Sequence, residues 1–481
     1  MTTLPETPRS PLLFLRMCAS PRSGRVRNAF RLSFLLLLAG LFFPAPISAQ
    51  DSRPAREKPT DRGKAAKMIE AAGEVMKQVE ELRGKSFRSP VQKDVRTEEE
   101  LRKFIMKELF EEEFGGGKLK RHQWMLEEVG LLPQGTDFAK TLIDVLLNQV
   151  GGYYDPKTKS FYMMARASSF GDLLNRTLMA HELTHALDDQ YYGLARRMKE
   201  MGETEDGGFA IGAVVEGSAT ALMTRWMFRY GTGFDPESMK ERMKAEMERS
   251  KAFFASPPYF WTLAAKYMMG MRFLLNGGSG AESMKILMLS KTGVGENLAK
   301  AMENPPLSSE QILHPEKYWD SEKKDPPAVL ADEKGFEKAL ASTGWTLKGK
   351  ETLGEIHCAI LARKPRRKTD PSKIVQLLNV PSFWTNYAAS GWGGDRVFLL
   401  SRGKERGLLW VTWWDEARDA EQFEKSYRRF YGESLGFRSR RDGKLLVFAF
   451  GDLRSEAEVF FALARGEAGK VVKGGRPFPL D

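Results

Sequence analysis

The sequence contains few cysteines and few histidines. Its 481 residues include two Cys and five His. Cys18 lies in an N-terminal segment that we expect to be removed, and Cys358 would then stand alone. A lone cysteine excludes a disulfide framework, so the fold is expected to depend on its hydrophobic core.

Motifs for nucleotide and nucleic-acid binding are also missing. The chain has no Walker loop, no dinucleotide-binding glycine fingerprint and no internal repeat.

The charge of the chain is mildly basic. Residues 1–50 hold six basic residues and one acidic residue, so the rest of the chain holds 68 basic and 62 acidic residues and has a net charge near +6. Basic clusters at residues 364–368 and 438–441 lack interleaved aromatics, so we interpret them as solvated faces, with anionic cell-surface polymers as the alternative partner.

Long apolar runs are absent except near the N-terminus. Four arginines between residues 22 and 31 precede an apolar run at residues 32–43, and Ile-Ser-Ala follows at residues 47–49. This order predicts a signal peptide over residues 1–49, and the run is too short to span a bilayer comfortably. We expect a secreted or periplasmic protein without stable membrane insertion.

The segment at residues 179–189 carries the pattern His-Glu-x-x-His, formed by His181, Glu182 and His185. Leucines at helical spacing between residues 173 and 187, after possible capping residues at 168–172, predict a long helix here. Two histidines four residues apart share one face of a helix, so both imidazoles can reach one metal ion. A neighbouring carboxylate can accept a proton from water at that metal, which is the arrangement of a zinc hydrolase.

Zinc in a catalytic site needs a third protein ligand and keeps the fourth position for water. Glu216 is the best candidate, because it lies in a small, apolar helical run that begins near Ile211 and a charge there requires a partner. Gly217 and Ala219 would allow this helix to approach the first one closely. Glu203, Glu205 and Asp206 are rival ligands, but they fall in a Gly-rich segment predicted to be a solvated loop.

These motifs together resemble the gluzincins, the thermolysin-like zinc metallopeptidases, and in particular a secreted bacterial lineage of them. The resemblance covers roughly residues 80–320. It implies that His181, His185 and Glu216 bind zinc and that Glu182 is the general base. The family places an aspartate four residues after the ligand glutamate to orient a histidine, whereas this chain has Thr220 there.

Other residues have roles that the resemblance implies or leaves open. Asp188 or Asp189 is the alternative orienting partner of the ligand histidines. His314 and Tyr318 are the residue types that thermolysin-like sites use to stabilise the oxyanion, so they are candidate catalytic residues. The alternative is that His314 packs beside Pro315 in a structural turn.

The fold class predicted is α+β, in three parts after the signal peptide. An N-terminal helical region (50–120) precedes a mainly helical zincin-like domain with a small mixed sheet (121–320), in which a hairpin is expected at residues 150–164. A small α+β domain follows (321–481). Its tryptophans at 410, 413 and 414 are expected in the core, with a ligand groove as the alternative.

The sequence therefore predicts a secreted zinc peptidase that acts on a peptide or protein substrate. The alternative is a non-catalytic binding or scaffold protein that retains a structural zinc, with Asp206 or His314 as a fourth ligand. Intact Glu182 favours the enzyme, because a scaffold does not need a carboxylate beside two metal ligands.

Overall fold

The computed structural model describes residues 59–107, 117–169, 171–231, 253, 255–278, 280–363, 380–468 and 471–473. The predicted signal peptide and the basic cluster at residues 364–368 lie outside these ranges. Within them, no helix combines the length and the apolar character needed to cross a membrane. The fold is α+β, as predicted: a mainly helical N-terminal part is followed by a C-terminal part built on a five-stranded sheet.

The N-terminal part consists of short and long helices around a small sheet. Its helices are α1 (Pro59–Ile69), α2 (Ala72–Arg83), α3 (Glu98–Lys107), α4 (Lys118–Glu128), α5 (Phe138–Gln149), α6 (Asp172–Tyr192), α7 (Leu194–Met201), α8 (Glu205–Tyr230), α9 (Thr262–Leu274), α10 (Gly280–Leu289), α11 (Gly295–Glu303), α12 (Ser309–Leu313) and α13 (Glu316–Trp319). Its strands are β1 (Gln92–Arg96), β2 (Gly152–Asp155) and β3 (Ser160–Met164).

The small sheet has the order β1-β3-β2. Strands β2 and β3 form the predicted antiparallel hairpin, and β1 pairs with β3 in parallel. The sequence of β1, Gln-Lys-Asp-Val-Arg, does not show the alternation of apolar and polar residues that predicts a strand. Only Val95 in it is buried. A capping box follows this strand: Thr97 Oγ1 accepts from Glu100 N, and Thr97 N donates to Glu100 Oε2.

Helices α6 and α8 form the centre of the N-terminal part. Helix α6 starts at Asp172 after Gly171, without the side-chain cap expected from residues 168–172. Helix α8 begins at Glu205 and not near Ile211, because the side chain of Thr204 caps it by accepting from Gly207 N. The prediction of a solvated loop that includes Glu205 and Asp206 is therefore wrong, because both residues lie in the first turn of α8.

Helices α8 and α9 approach each other at two glycines. A Cβ atom on Gly217 would lie 2.1 Å from the carbonyl carbon of Gly270, and one on Gly270 would lie 1.8 Å from Ala213 O. The close approach that Gly217 permits is thus to α9 and not, as predicted, to the first helix. Both glycines are needed because two backbones meet without space for a side chain.

Replacing Gly270 with alanine should destabilise the protein by about 3 kcal/mol or more, at the upper end of overpacking costs, because the clash is with backbone. Chemical unfolding monitored by circular dichroism measures this change. Gly73→Ala in α2 is the control, since a Cβ there meets nothing within 4 Å. An unchanged unfolding midpoint for Gly270→Ala would contradict the described separation of the two helices.

The C-terminal part is a sheet covered on both faces. Its strands are β4 (Ala328–Leu330), β5 (Thr346–Glu351), β6 (Trp392–Arg402), β7 (Glu405–Trp414), β8 (Arg438–Asp442), β9 (Leu445–Gly451) and β10 (Val471–Lys473); its helices are α14 (Glu333–Ser342), α15 (Gly354–Leu361), α16 (Pro381–Trp384), α17 (Ala417–Leu435) and α18 (Ala457–Ala468). The main sheet has the antiparallel order β5-β6-β7-β9-β8, and β4 pairs with β10. Trp410, Trp413 and Trp414 are buried in the core, as expected.

The two parts meet at the start of α8. Asp206 N donates to Thr352 O, and Glu205 N donates to Glu351 Oε1 at 2.8 Å. Asp206 Oδ1 accepts from Ser309 N, on α12 of the N-terminal part, at 2.7 Å. Asp206 is buried, although the sequence placed it in solvent. The largest hydrophobic core also extends across both parts, from Phe138 to residues of the main sheet.

Burial raises the pKa of Asp206 to about 7, although hydrogen bonds from Ser309 oppose this change. An unfolded aspartate loses its proton near about pH 4, so between these values the folded chain binds more protons than the unfolded chain. This contribution to stability is full below about pH 4 and is lost as the pH rises through 7.

Asp206→Asn should therefore reduce the loss of stability between about pH 5 and about pH 8 by about 2 to 3 kcal/mol. Urea unfolding of both proteins across this range measures the difference. Burial lowers the pKa of His122 to about 3, which makes stability rise with pH. Both proteins contain His122, so the comparison between them cancels this opposite effect. Asp144→Asn on the exposed face of α5 is the control, and parallel profiles of Asp206→Asn and wild type would contradict the prediction.

Candidate metal centre

Helices α6 and α8 bring the three predicted metal ligands together. His181 Nε2 lies 3.2 Å and His185 Nε2 lies 3.5 Å from Glu216 Oε2, and the two Nε2 atoms are 3.1 Å apart. The three side chains are at most 2% exposed. Histidines one turn apart on α6 thus converge on one carboxylate oxygen of α8.

The spacing of the three atoms suits a metal ion with tetrahedral ligands. Their separations average about 3.3 Å, which is the edge of a tetrahedron whose corners lie about 2.0 Å from its centre, close to Zn–N and Zn–O bond lengths. Among the described residues, neither His181 Nδ1 nor His185 Nδ1 has a hydrogen-bond partner. The polar contacts of both rings are therefore directed at the shared point.

The protonation states also suit metal binding. Burial lowers the pKa of His181, so its ring is neutral and has a lone pair to offer. Burial alone would raise the pKa of Glu216, but His185 and His181 outweigh it and lower this pKa. The pKa values of His181 and Glu216 are thus both shifted toward the forms in which these groups act as ligands, a neutral imidazole and a charged carboxylate.

Glu182 lies beside this trio and faces the edge strand β2. Its Oε2 accepts a hydrogen bond from Tyr154 N at 2.9 Å, and its Oε1 has no hydrogen-bond partner within the described ranges. Burial, and then the charge of Glu216, raise the pKa of Glu182 well above its usual value, against the effect of the Tyr154 N–H. One oxygen is held by the strand and the other is available to exchange a proton.

Tyr267 on α9 is a further residue of the site that the sequence did not indicate. Its ring stacks on His181 with centroids 5.8 Å apart. Burial, followed by the charges of Glu216 and Glu182, raises the pKa of Tyr267 well above its usual value, so the hydroxyl keeps its proton beside both carboxylates. Tyr267 belongs to a Met-rich helix whose sequence predicts core packing. It lies beside His181 because α8 and α9 approach closely at Gly217 and Gly270.

His314 and Tyr318, the predicted oxyanion residues, make their described contacts elsewhere. His314 Nε2 lies 3.0 Å from Glu355 Oε1, and Tyr318 OH donates to Asn304 O at 2.6 Å. Burial opposes protonation of His314, but Glu355 and Glu316 raise its pKa to about 10. The structure does not bring these two side chains into contact with the three candidate ligands among the interactions it describes.

The candidate orienting aspartates have other partners. Asp189 Oδ2 accepts from Tyr154 OH at 2.7 Å and from Lys159 Nζ at 2.6 Å. Asp188 Oδ2 accepts from Arg83 and Ser218. Asp189 therefore contacts the side chain of Tyr154, the residue whose N–H donates to Glu182, and neither aspartate contacts a ligand histidine among the hydrogen bonds described.

A second carboxylate cluster, formed by Glu310, Asp325 and Asp415, has the spacing of a metal site. Lys317 Nζ lies 2.6, 3.2 and 3.0 Å from these three groups, respectively. A lysine ammonium thus supplies the positive charge that the carboxylates require.

Comparison with known proteins identifies one region of similarity. The model of a family described as a domain of unknown function, DUF8575, matches residues 342–475. This match covers a little over a quarter of the chain, includes the five-stranded sheet, and lies downstream of His181, Glu182, His185 and Glu216. No curated protein and no solved structure matches the chain.

Proposed function

We propose that the protein is a secreted, zinc-dependent peptidase whose metal is held by His181, His185 and Glu216. The observation that carries this proposal is the convergence of these three buried side chains on one point, with the Glu182 carboxylate beside it. Secretion is part of the proposal and depends on the predicted signal peptide.

The chemistry follows from which groups can hold or move a proton. Zinc, when bound, would supply Lewis acidity that polarises a carbonyl oxygen and activates water. Glu182 accepts the proton of the attacking water at Oε1 and later delivers it to the leaving amine. The Tyr154 N–H holds Oε2 and so fixes the direction in which Oε1 points.

The choice of a peptide substrate is supported by the resemblance to the gluzincins and by the position of β2. This strand forms the edge of the small sheet and contacts Glu182 directly. An edge strand can align an extended backbone by pairing with it, which would hold a scissile bond near the carboxylate.

A structural zinc in a binding or scaffold protein is the second candidate. The complete burial of Glu182, which is 0% exposed, favours it, because a substrate has to reach this side chain. The two candidates differ in turnover and not in metal binding.

The test is metal analysis together with hydrolysis of a quenched-fluorescent peptide library, using the chain from Gln50 onward. We expect one zinc per chain, cleavage that stops on treatment with a strong chelator, and recovery when zinc is added back. Zinc without cleavage would favour the structural site. A chain that takes up no zinc would overturn both candidates.

A further inference from the structure

A buried arginine from the N-terminal helices contacts both helices that carry the candidate metal ligands. Arg83, the last residue of α2, is 2% exposed. Its Nη2 donates to Asp188 Oδ2 at 3.0 Å and to Ser218 Oγ at 2.7 Å, and Ser218 Oγ donates to Asp188 Oδ2 at 2.6 Å. We call this closed triangle of Arg83, Asp188 and Ser218 the clasp.

The clasp joins the two helices that carry the candidate ligands. Asp188 follows His185 by three residues on α6, and Ser218 follows Glu216 by two residues on α8. The clasp is therefore within one helical turn of a ligand on each helix. A change in the clasp would shift the two ligand sets relative to each other.

Helices α6 and α8 also share an apolar contact. One hydrophobic cluster combines residues of both helices: Leu183, Ala186 and Leu187 of α6, and Leu222 and Trp226 of α8. The hydrophobic effect behind this contact is non-directional, whereas a metal site requires its ligands to be held to within about 0.5 Å. Hydrogen bonds to a planar guanidinium have defined directions.

The clasp is also poorly suited to contribute stability alone. Asp188 Oδ1 and Arg83 Nε are buried, and neither has a hydrogen-bond partner among the residues described. A buried ion pair with unsatisfied atoms recovers little of its desolvation cost. We therefore interpret the clasp by the fixed geometry of its hydrogen bonds and not by its contribution to folding stability.

We propose that Arg83 is a positioning residue of the metal centre, which sets the relation of α6 to α8 through Asp188 and Ser218. This inference rests on the proposed zinc site. It makes α2 an integral component of that site, so proteolytic removal of the helix would abolish tight metal binding.

The test compares zinc affinity, measured by competition with a chromophoric chelator, with the visible spectrum of the cobalt-substituted protein. Arg83→Met/Asp188→Leu replaces the ion pair with apolar side chains, a change that buried pairs often tolerate without loss of stability. We expect it to fold and to bind zinc about 10- to 100-fold more weakly, with a changed cobalt spectrum.

Two further variants keep the test independent of folding. Ser218→Ala retains the charge pair and should weaken zinc binding by a smaller factor, and Arg83→Lys should restore part of the affinity lost in the double variant. Arg176→Met is the matched control: Arg176 also links α6 to α2, by a 2.6 Å ion pair with Glu74, but it is partly exposed and outside the clasp. Its zinc affinity should equal that of wild type.

The outcomes separate this inference from the function on which it rests. Wild-type zinc affinity and cobalt spectrum in the folded double variant and in Ser218→Ala would overturn the role of Arg83 and leave the metal centre intact. Equal weakening in Arg176→Met would overturn it too, because any loosening of α2 would then suffice. A wild-type protein that binds no zinc would refute the metal centre and the inference together.

Discussion

Glu182→Gln should retain one zinc per chain and hydrolyse peptides about 10²- to 10⁴-fold more slowly than the wild type. Glutamine has the shape of glutamate and can still accept the Tyr154 N–H at its oxygen, so the fold and the metal ligands should be unaffected. It cannot accept a proton from water at neutral pH. The loss should therefore appear in kcat, with little change in KM.

Single-turnover kinetics and metal analysis on the same samples measure both parts of this expectation. Glu200→Gln is the control, because Glu200 lies on α7 and pairs with the exposed Arg196. Near-wild-type turnover by Glu182→Gln, with zinc bound, would remove Glu182 from the role of general base. Loss of zinc from this variant would instead indicate that Glu182 is itself a ligand.

Glu216→Gln should lose zinc and, with it, all hydrolysis. The amide lacks the negative charge that offsets the charge of a dication, and two buried imidazoles would then face a neutral group. Replacing a residue that hydrogen-bonds to a metal ligand typically lowers metal affinity roughly 10- to 100-fold. Loss of a ligand itself should lower zinc affinity by more than that. Any zinc-dependent gain in thermal stability should also disappear.

Zinc affinity by chelator competition and thermal unfolding with and without zinc test this expectation. Glu205→Gln is the matched control, since Glu205 is a largely buried carboxylate on the same helix that contacts Tyr259 and His122 instead of the metal centre. Full zinc affinity in Glu216→Gln would show that the third ligand is misassigned. Equal loss in Glu205→Gln would show that the effect arises from α8 as a whole.

Tyr267 is a candidate, within the proposed zinc site, for the role expected of His314 and Tyr318. His314 and Tyr318 match the residue types of the gluzincin resemblance, but in the structure they contact Glu355 and Asn304. Tyr267 stacks on His181, and its hydroxyl keeps its proton beside Glu216 and Glu182. A hydroxyl that keeps its proton beside the ligands can donate to developing negative charge.

The sequence by itself determined those features that depend on residues close together in the chain. The spacing of His181 and His185 places both on one helical face, Thr97 and Glu100 form their capping box, and the turn between β2 and β3 specifies the hairpin. Each of these depends on contacts within one or two turns, so periodicity and capping chemistry are sufficient to predict them. The candidate ligand Glu216 could also be predicted from the sequence, because an isolated charge in an apolar helix requires a partner.

The tertiary structure alone decided which distant segments complete the site. Strand β1 has a polar sequence and becomes a strand only because β3 offers it a parallel partner. Tyr267 reaches His181 because two glycines let α8 and α9 touch, and Arg83 reaches Asp188 across 105 residues. No local sequence pattern encodes such contacts, because they depend on how whole helices pack. By their local patterns alone, these residues are predicted only to lie in the core or on the surface.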